Sequence, residues 1–135
     1  MPRILHVDDS EDMREIVLLS LETIGGLEVK QACSGAEALK MALPYSPDLF
    51  LLDVMMPEMT GPELMINLRK LPEFATTPVV FLTAKAQVEE LAELNTLGAL
   101  AVMTKPFDPM HLAEEVVELW QGHLRDLGAT SPKAD

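Results

Sequence analysis

Short apolar runs recur along this chain, and each one ends on a residue that can carry charge or chemistry. Residues 4–7 run into Asp8-Asp9, residues 49–52 into Asp53, residues 79–82 into Thr83, and residues 100–103 are followed by Lys105-Pro106. Runs this short and this uniformly apolar predict parallel strands buried on both faces. A fifth, more polar strand is expected at 28–32, as suits a sheet edge. The full strand expectations are 3–7, 28–32, 48–52, 79–82 and 100–103.

Between the strands the apolar positions follow a helical period. Met13, Ile16, Val17, Leu21 and Ile24 fall on one face of a helix over 10–24, which Gly25-Gly26 stops. Ser34 to Glu37 reads as a capping box for a second helix, ended by Pro44. Thr60 to Glu63 reads as another, opening a helix to about residue 71. A fourth helix is expected over 87–97, capped by Gly98. Asp108-Pro109 forms an N-cap and first-turn pair for a fifth, whose stripe is Leu112, Val116, Leu119 and Trp120. From about Gly122 the period fades, and 128–135 reads as a frayed tail.

Five strand–helix units with right-handed crossovers predict a doubly wound α/β fold, a five-stranded parallel sheet in order 2-1-3-4-5 with five helices. One domain over 1–122 is expected, with 123–135 as helix end and flexible tail. In such sheets ligands sit at the carboxyl ends of the strands. The order makes the four chemically loaded strands contiguous, so Asp8, Asp9, Asp53, Thr83 and Lys105 meet at one rim.

That collection suits a divalent cation and a phosphoryl group. Mg²⁺ takes octahedral oxygen ligands, few of them protein carboxylates. Asp8, Asp9, Asp53 and the backbone carbonyl of Met55 are the candidate ligands. A plainer reading has Asp8 and Asp9 capping the first helix. Asp53 is the candidate nucleophile, since a carboxylate can take a phosphoryl group as an acyl phosphate. Pro57 and the box at Thr60 put the next helix start downstream, which leaves Asp53 facing the cleft. Thr83 offers a hydroxyl and Lys105 a compact cation. A cis Lys105-Pro106 bond would aim that lysine inward.

Composition narrows the partners. Net charge is −12 across 135 residues, which disfavours nucleic acid and anionic membranes and favours basic or neutral proteins. One cysteine, Cys33, allows no internal disulfide, and no apolar stretch approaches a bilayer span. A cytoplasmic protein is expected. His6 reads as a half-buried strand residue with one satisfied nitrogen, His111 and His123 as surface groups, and Cys33 as a small packed residue.

Together, Ile4-Leu-His-Val-Asp-Asp9, Leu51-Leu-Asp-Val-Met-Met-Pro57 with Gly61, Phe81-Leu-Thr-Ala84 and Thr104-Lys-Pro-Phe107 resemble the response regulator receiver domains of two-component signalling. The resemblance covers about residues 3–120. It implies a receiver fold in which Asp53 accepts phosphate from a histidine kinase or histidine phosphotransfer protein. It implies that Asp8 and Asp9 hold Mg²⁺ with Asp53. Thr83 would bind the phosphoryl oxygen, and Lys105 would pair with Asp53 and then with the phosphate.

The sequence departs from that pattern on the fifth strand, where Val102 stands at the position of an aromatic switch residue. Met55 and Lys85 occupy the positions that govern water access to the acyl phosphate. Leu100 and Ala101 make the face of helix 4, strand 5 and helix 5 either an adhesive partner surface or a packed one. The leading expectation is a stand-alone phosphorylation switch that acts by protein contact or phosphate relay. Homodimerisation is left open. The alternatives are a binding-only pseudo-receiver, favoured by Val102, and a Mg²⁺-dependent aspartyl-phosphate phosphohydrolase, opposed by the Asp8-Asp9-Ser10 pattern. A flavodoxin-like cofactor carrier lacks a phosphate loop after strand one.

Overall fold

Every apolar run of the sequence becomes a strand in the computed structural model, which describes residues 1–84 and 88–129. The strands are β1 (Arg3–Val7), β2 (Glu28–Ala32), β3 (Leu49–Asp53), β4 (Val79–Thr83) and β5 (Ala101–Thr104). All pair in parallel, in the order β2-β1-β3-β4-β5. The helices are α1 (Glu11–Leu18), α2 (Gly35–Tyr45), α3 (Gly61–Arg69), α4 (Val88–Asn95) and α5 (Leu112–Ala129). The expected doubly wound α/β fold is the observed one.

Two cores flank the sheet. Leu5, Val7, Phe50, Leu52 and Phe81 pack with Ala38, Leu64, Leu68 and Leu94 of α2, α3 and α4. Ile4, Leu49, Leu51, Val80 and Leu82 face Val17 of α1 and Leu112 and Val116 of α5. Strand residues therefore alternate between the two layers, and β3 and β4 are buried along their whole length.

Several boundaries differ from expectation, each for a local reason. β3 starts one residue later, where the Asp48 carboxylate accepts the Arg3 N–H at 2.8 Å at the sheet's entry, and reaches Asp53, which pairs with Leu82 of β4. Likewise β4 reaches Thr83 and β5 reaches Thr104. Pro44 does not end α2. It sits inside the last turn, and Ser46, in the left-handed region at φ 55°, terminates the helix. Ser34 does cap α2, but Glu37 reaches back to the Cys33 N–H rather than to that of Ser34. The Thr60–Glu63 capping box is complete, and α3 closes at Arg69, two residues early.

The first helix changes character after Leu18. Residues Leu19–Ile24 form a π-helical segment, marked by the Gly25 N–H bonding the Ser20 carbonyl at 3.1 Å. The wider turn carries Ile24 off the buried stripe. Ile16 is exposed as well, so Val17 and Leu21 hold that face. α4 ends at Asn95, and tighter bonds from Thr96 and Leu97 lead to Gly98 at φ 90°. The expected start of that helix at Gln87 lies outside the described residues, as does Lys85.

The fifth helix starts later than Asp108-Pro109 predicts. The Asp108 carboxylate accepts the Met110 N–H at 2.9 Å and closes a separate turn first. α5 then continues through the faded periodicity to Ala129, so the frayed tail expected from 128 onward is helical at its first two residues, and the rest lies outside the described residues. Leu119 and Trp120 are only partly buried. Among the described residues no helix is long and apolar enough to cross a membrane.

Candidate functional site

The β1–α1 junction supplies the first carboxylates. Asp8 is buried and Asp9 exposed. Neither caps α1: Ser10 does, its Oγ accepting the Met13 N–H at 3.3 Å. Asp8 is instead fixed from three sides. Its Oδ1 accepts the Ser10 N–H at 2.9 Å, its carbonyl accepts from the Arg14 guanidinium at 2.7 Å, and its Oδ2 accepts from Lys105.

Asp53 closes β3 in the middle of the sheet and is 6% exposed. The chain leaves it through Val54–Met59 and returns at Gly61, whose N–H bonds the Val54 carbonyl at 2.9 Å. A Cβ at Gly61 would collide with the Asp53 carbonyl oxygen. Only glycine lets α3 begin this close to the end of β3. Met55, in the intervening loop, points its side chain out and is 56% exposed. Thr83 ends β4 next to Asp53 and is buried.

Lys105 follows β5, and its bond to Pro106 is cis. Its Nζ lies 3.1 Å from Asp53 Oδ1 and 3.2 Å from Asp8 Oδ2. Oxygens of Asp8, Asp9 and Asp53 all lie within 4.8 Å of one another. Among the described residues, Lys105 contacts two of these three carboxylates, and Arg14 reaches the Asp8 carbonyl rather than a carboxylate. A divalent ion has the charge and the oxygen preference to match, so these residues fit Mg²⁺.

Electrostatics report the same crowding. Burial, then the neighbouring Asp8 charge, push the Asp53 carboxyl above its usual value, and the Lys105 contact only partly offsets them. Burial alone would lower the Lys105 ammonium, but Asp8 and Asp53 outweigh it and hold it above its usual value. The pair is therefore a cation shared by two acids rather than a balanced ion pair.

His6 differs from expectation by being fully rather than half buried. One nitrogen is satisfied: Nδ1 lies 3.0 Å from the Gln31 amide nitrogen. Burial, then Lys105 and Arg14, push its pKa down to about 3. With the ring neutral, its 4.0 Å separation from Asp8 Oδ2 is no ion pair. Sequence reasoning missed Gln31 and Arg14. The signal for Gln31 was available, because aligning β1 and β2 from their ends places it beside His6.

The remaining candidates do not join the site. His111 is exposed and pairs with Asp108 at 2.6 Å, and the contact lowers the Asp108 pKa and raises that of His111. His123 is half-buried and lines a cavity of about 590 Å³ between α3, α5 and the start of β5, away from the carboxylates. Cys33 is exposed, because the chain turns outward between β2 and the Ser34 cap, so it is not a packed residue. Leu100 and Ala101 are half-buried against the α1–α5 core, and Val102 packs on the opposite core. An open groove of about 400 Å³ leads from Thr83 between Val54, Met55 and Pro62 on one side and Glu93 and Leu94 of α4 on the other.

A family model, the response regulator receiver domain, matches residues 4–117. The response regulator Rre1 of Synechocystis sp. is 35% identical over 132 residues, covering 96% of this chain and 57% of that protein. The DNA-binding dual master transcriptional regulator RpaA of Synechocystis sp. is 37% identical over 108 residues, covering 80% of this chain and 44% of its own length. The chain spans about half the length of these curated relatives. The chemotaxis protein CheY4 of Vibrio cholerae matches in structure with a TM-score of 0.81 at 34% identity, over 88% of this chain and 98% of that one. The family model's match starts in β1 and runs into α5, through all five loaded positions. By sequence and by fold, this chain belongs to the response regulator receiver family.

Proposed function

We propose that Asp53 is the phosphoacceptor of a signalling switch, charged by a phosphohistidine on a histidine kinase or histidine phosphotransfer protein. Receiver domains are phosphoacceptors in signalling and interact with such donors. The observation that carries the assignment is the shared cation, with Lys105 Nζ bridging Asp53 Oδ1 and Asp8 Oδ2 at the mouth of the sheet.

In the reaction an Asp53 carboxylate oxygen attacks phosphorus as the phosphorus–nitrogen bond of the donor breaks. The imidazole leaves, and an acyl phosphate forms. Lys105 neutralises charge on the transferred group, and the Thr83 hydroxyl donates to one of its oxygens. Receiver domains generally bind Mg²⁺, and here Asp8, Asp9, Asp53 and the Met55 carbonyl would hold it. When bound, it spreads the charge of the phosphoryl oxygens and aligns the donor. The same pocket promotes both charging and hydrolysis, so the chain acts on itself rather than on a separate substrate.

The new dianion draws Thr83 and Lys105 inward and shifts α4. The face of α4, β5 and α5 then meets a downstream protein. Glu89, Glu93, Glu114, Glu115 and Glu118 lie exposed on its helices, which favours a basic partner and disfavours nucleic acid. We place the protein in the cytoplasm, with residues 1–122 as the signalling unit. The second reading, a binding-only receiver, is favoured by Val102, which has no ring to move between pockets.

Intact-protein mass spectrometry after incubation with acetyl phosphate tests the reading. One added phosphoryl group is expected with Mg²⁺, none with EDTA and none in Asp53→Asn. No uptake from acetyl phosphate or from a phosphorylated histidine phosphotransfer protein would leave the binding-only reading.

A further inference from the structure

His6 stands two residues before Asp8 and is fully buried, yet the reaction above does not use it. Its register partner on β2 is Gln31. The Gln31 amide nitrogen lies 2.8 Å from the Arg14 carbonyl oxygen and 3.0 Å from His6 Nδ1. An atom that bonds a carbonyl oxygen must be the NH₂ group, so its second proton goes to Nδ1. Nδ1 therefore accepts, and the ring proton sits on Nε2. Geometry alone fixes the tautomer.

That Nε2–H makes no hydrogen bond with the described residues. Asp8 Oδ2 is 4.0 Å away, and Lys105 holds that oxygen at 3.2 Å. The other Asp8 oxygen is anchored by the Ser10 N–H. A pivot about that anchor needs to move Oδ2 only roughly 1 Å to reach hydrogen-bond distance of the ring.

We propose that His6 is a positioning residue for Asp8, held by Gln31 as the Nε2–H tautomer and ready to take Oδ2 when Lys105 moves to the phosphoryl group. The takeover rests on the phosphoacceptor reading of Asp53. No proton is transferred, since the neutral ring donates and the carboxylate accepts. A neutral donor suits this place better than a cation would. It keeps Asp8 aimed while leaving its full negative charge available to a metal ion. It also gives a buried N–H the partner it lacks among the described residues.

Long-range ¹H–¹⁵N NMR on the full chain with ¹⁵N-labelled histidine tests this, with the His6 signals assigned by their loss in His6→Phe. In the resting chain, a single Nε2–H tautomer is expected; the other tautomer, or a mixture, overturns the locking. Gln31→Leu should lose the single-tautomer pattern, and its retention would count against the role of Gln31. With acetyl phosphate and Mg²⁺, the Nε2–H proton should move downfield in a sample whose mass shows one added phosphoryl group. An unmoved proton in that sample overturns the takeover. If no phosphoryl group is added, the phosphoacceptor reading has failed, and Lys105→Met decides the positioning claim by itself. That variant vacates Oδ2 without phosphorylation, so the same downfield shift is expected, and its absence rules the proposal out.

Discussion

β4 and β5 lie side by side in register, Phe81 opposite Val102 and Thr83 opposite Thr104, yet they are built differently. Every residue of β4 is buried, whereas β5 is half-exposed throughout and open at Thr104. The central strands β3 and β4 are buried along their whole length and end on Asp53, the proposed acceptor, and Thr83. The edge strand leads to Lys105, the group that changes partners in the proposed reaction. On the proposed reading, a deeply buried acceptor and a more exposed cation follow from the position of each strand in the sheet.

The difference should be measurable by truncating the two cross-strand partners. Phe81→Ala removes a fully buried ring and should cost about 3–5 kcal/mol, read from the urea midpoint at unchanged slope. A loss near that of Val102→Ala would erase the distinction between centre and edge.

A smaller effect concerns Asp53 itself. Its pKa is raised on folding, so its contribution favours the fold below the unfolded carboxylate value and is lost as pH rises through the folded one. At neutral pH without divalent cations the ionised group is therefore a cost. Asp53→Asn should raise the Tm there by on the order of 4 °C, corresponding to about 1 kcal/mol. The gain should shrink as pH falls through the carboxylate range. It should also shrink when Mg²⁺ stabilises the wild-type chain. A variant less stable than wild type at neutral pH would show that the Lys105 contact, not the crowding, dominates.

Val102→Ala is the smallest, at about 1 kcal/mol or less, because the side chain is half-exposed and small. Phosphoryl uptake should be unchanged in this variant. A large drop in uptake would mean that β5 positions Lys105 more tightly than its exposure implies.

Much of this was legible in the sequence because the information was local or periodic. Apolar runs ending on Asp8, Asp53 and Thr83 announced both the strands and the rim, and Thr60 with Glu63 announced α3. What was not legible depended on spatial neighbours. The π segment after Leu18 leaves no mark in the apolar period. The later start of α5 depends on Asp108 bonding Met110 rather than opening a helix. The tautomer of His6 is set by Gln31, 25 residues away, which in turn is held by the Arg14 carbonyl. The face at Leu100 and Val102 could not be read as adhesive or packed until the two cores were seen to claim one side chain each.

The Lys105–Asp8 contact spans 97 residues and the Lys105–Asp53 contact 52. No local segment holds the acceptor, its partner acid and their cation together. On the phosphoacceptor reading, the cation joins Asp53 and Asp8 only once β5 has paired with β4, so the pocket and the edge of the sheet are completed together.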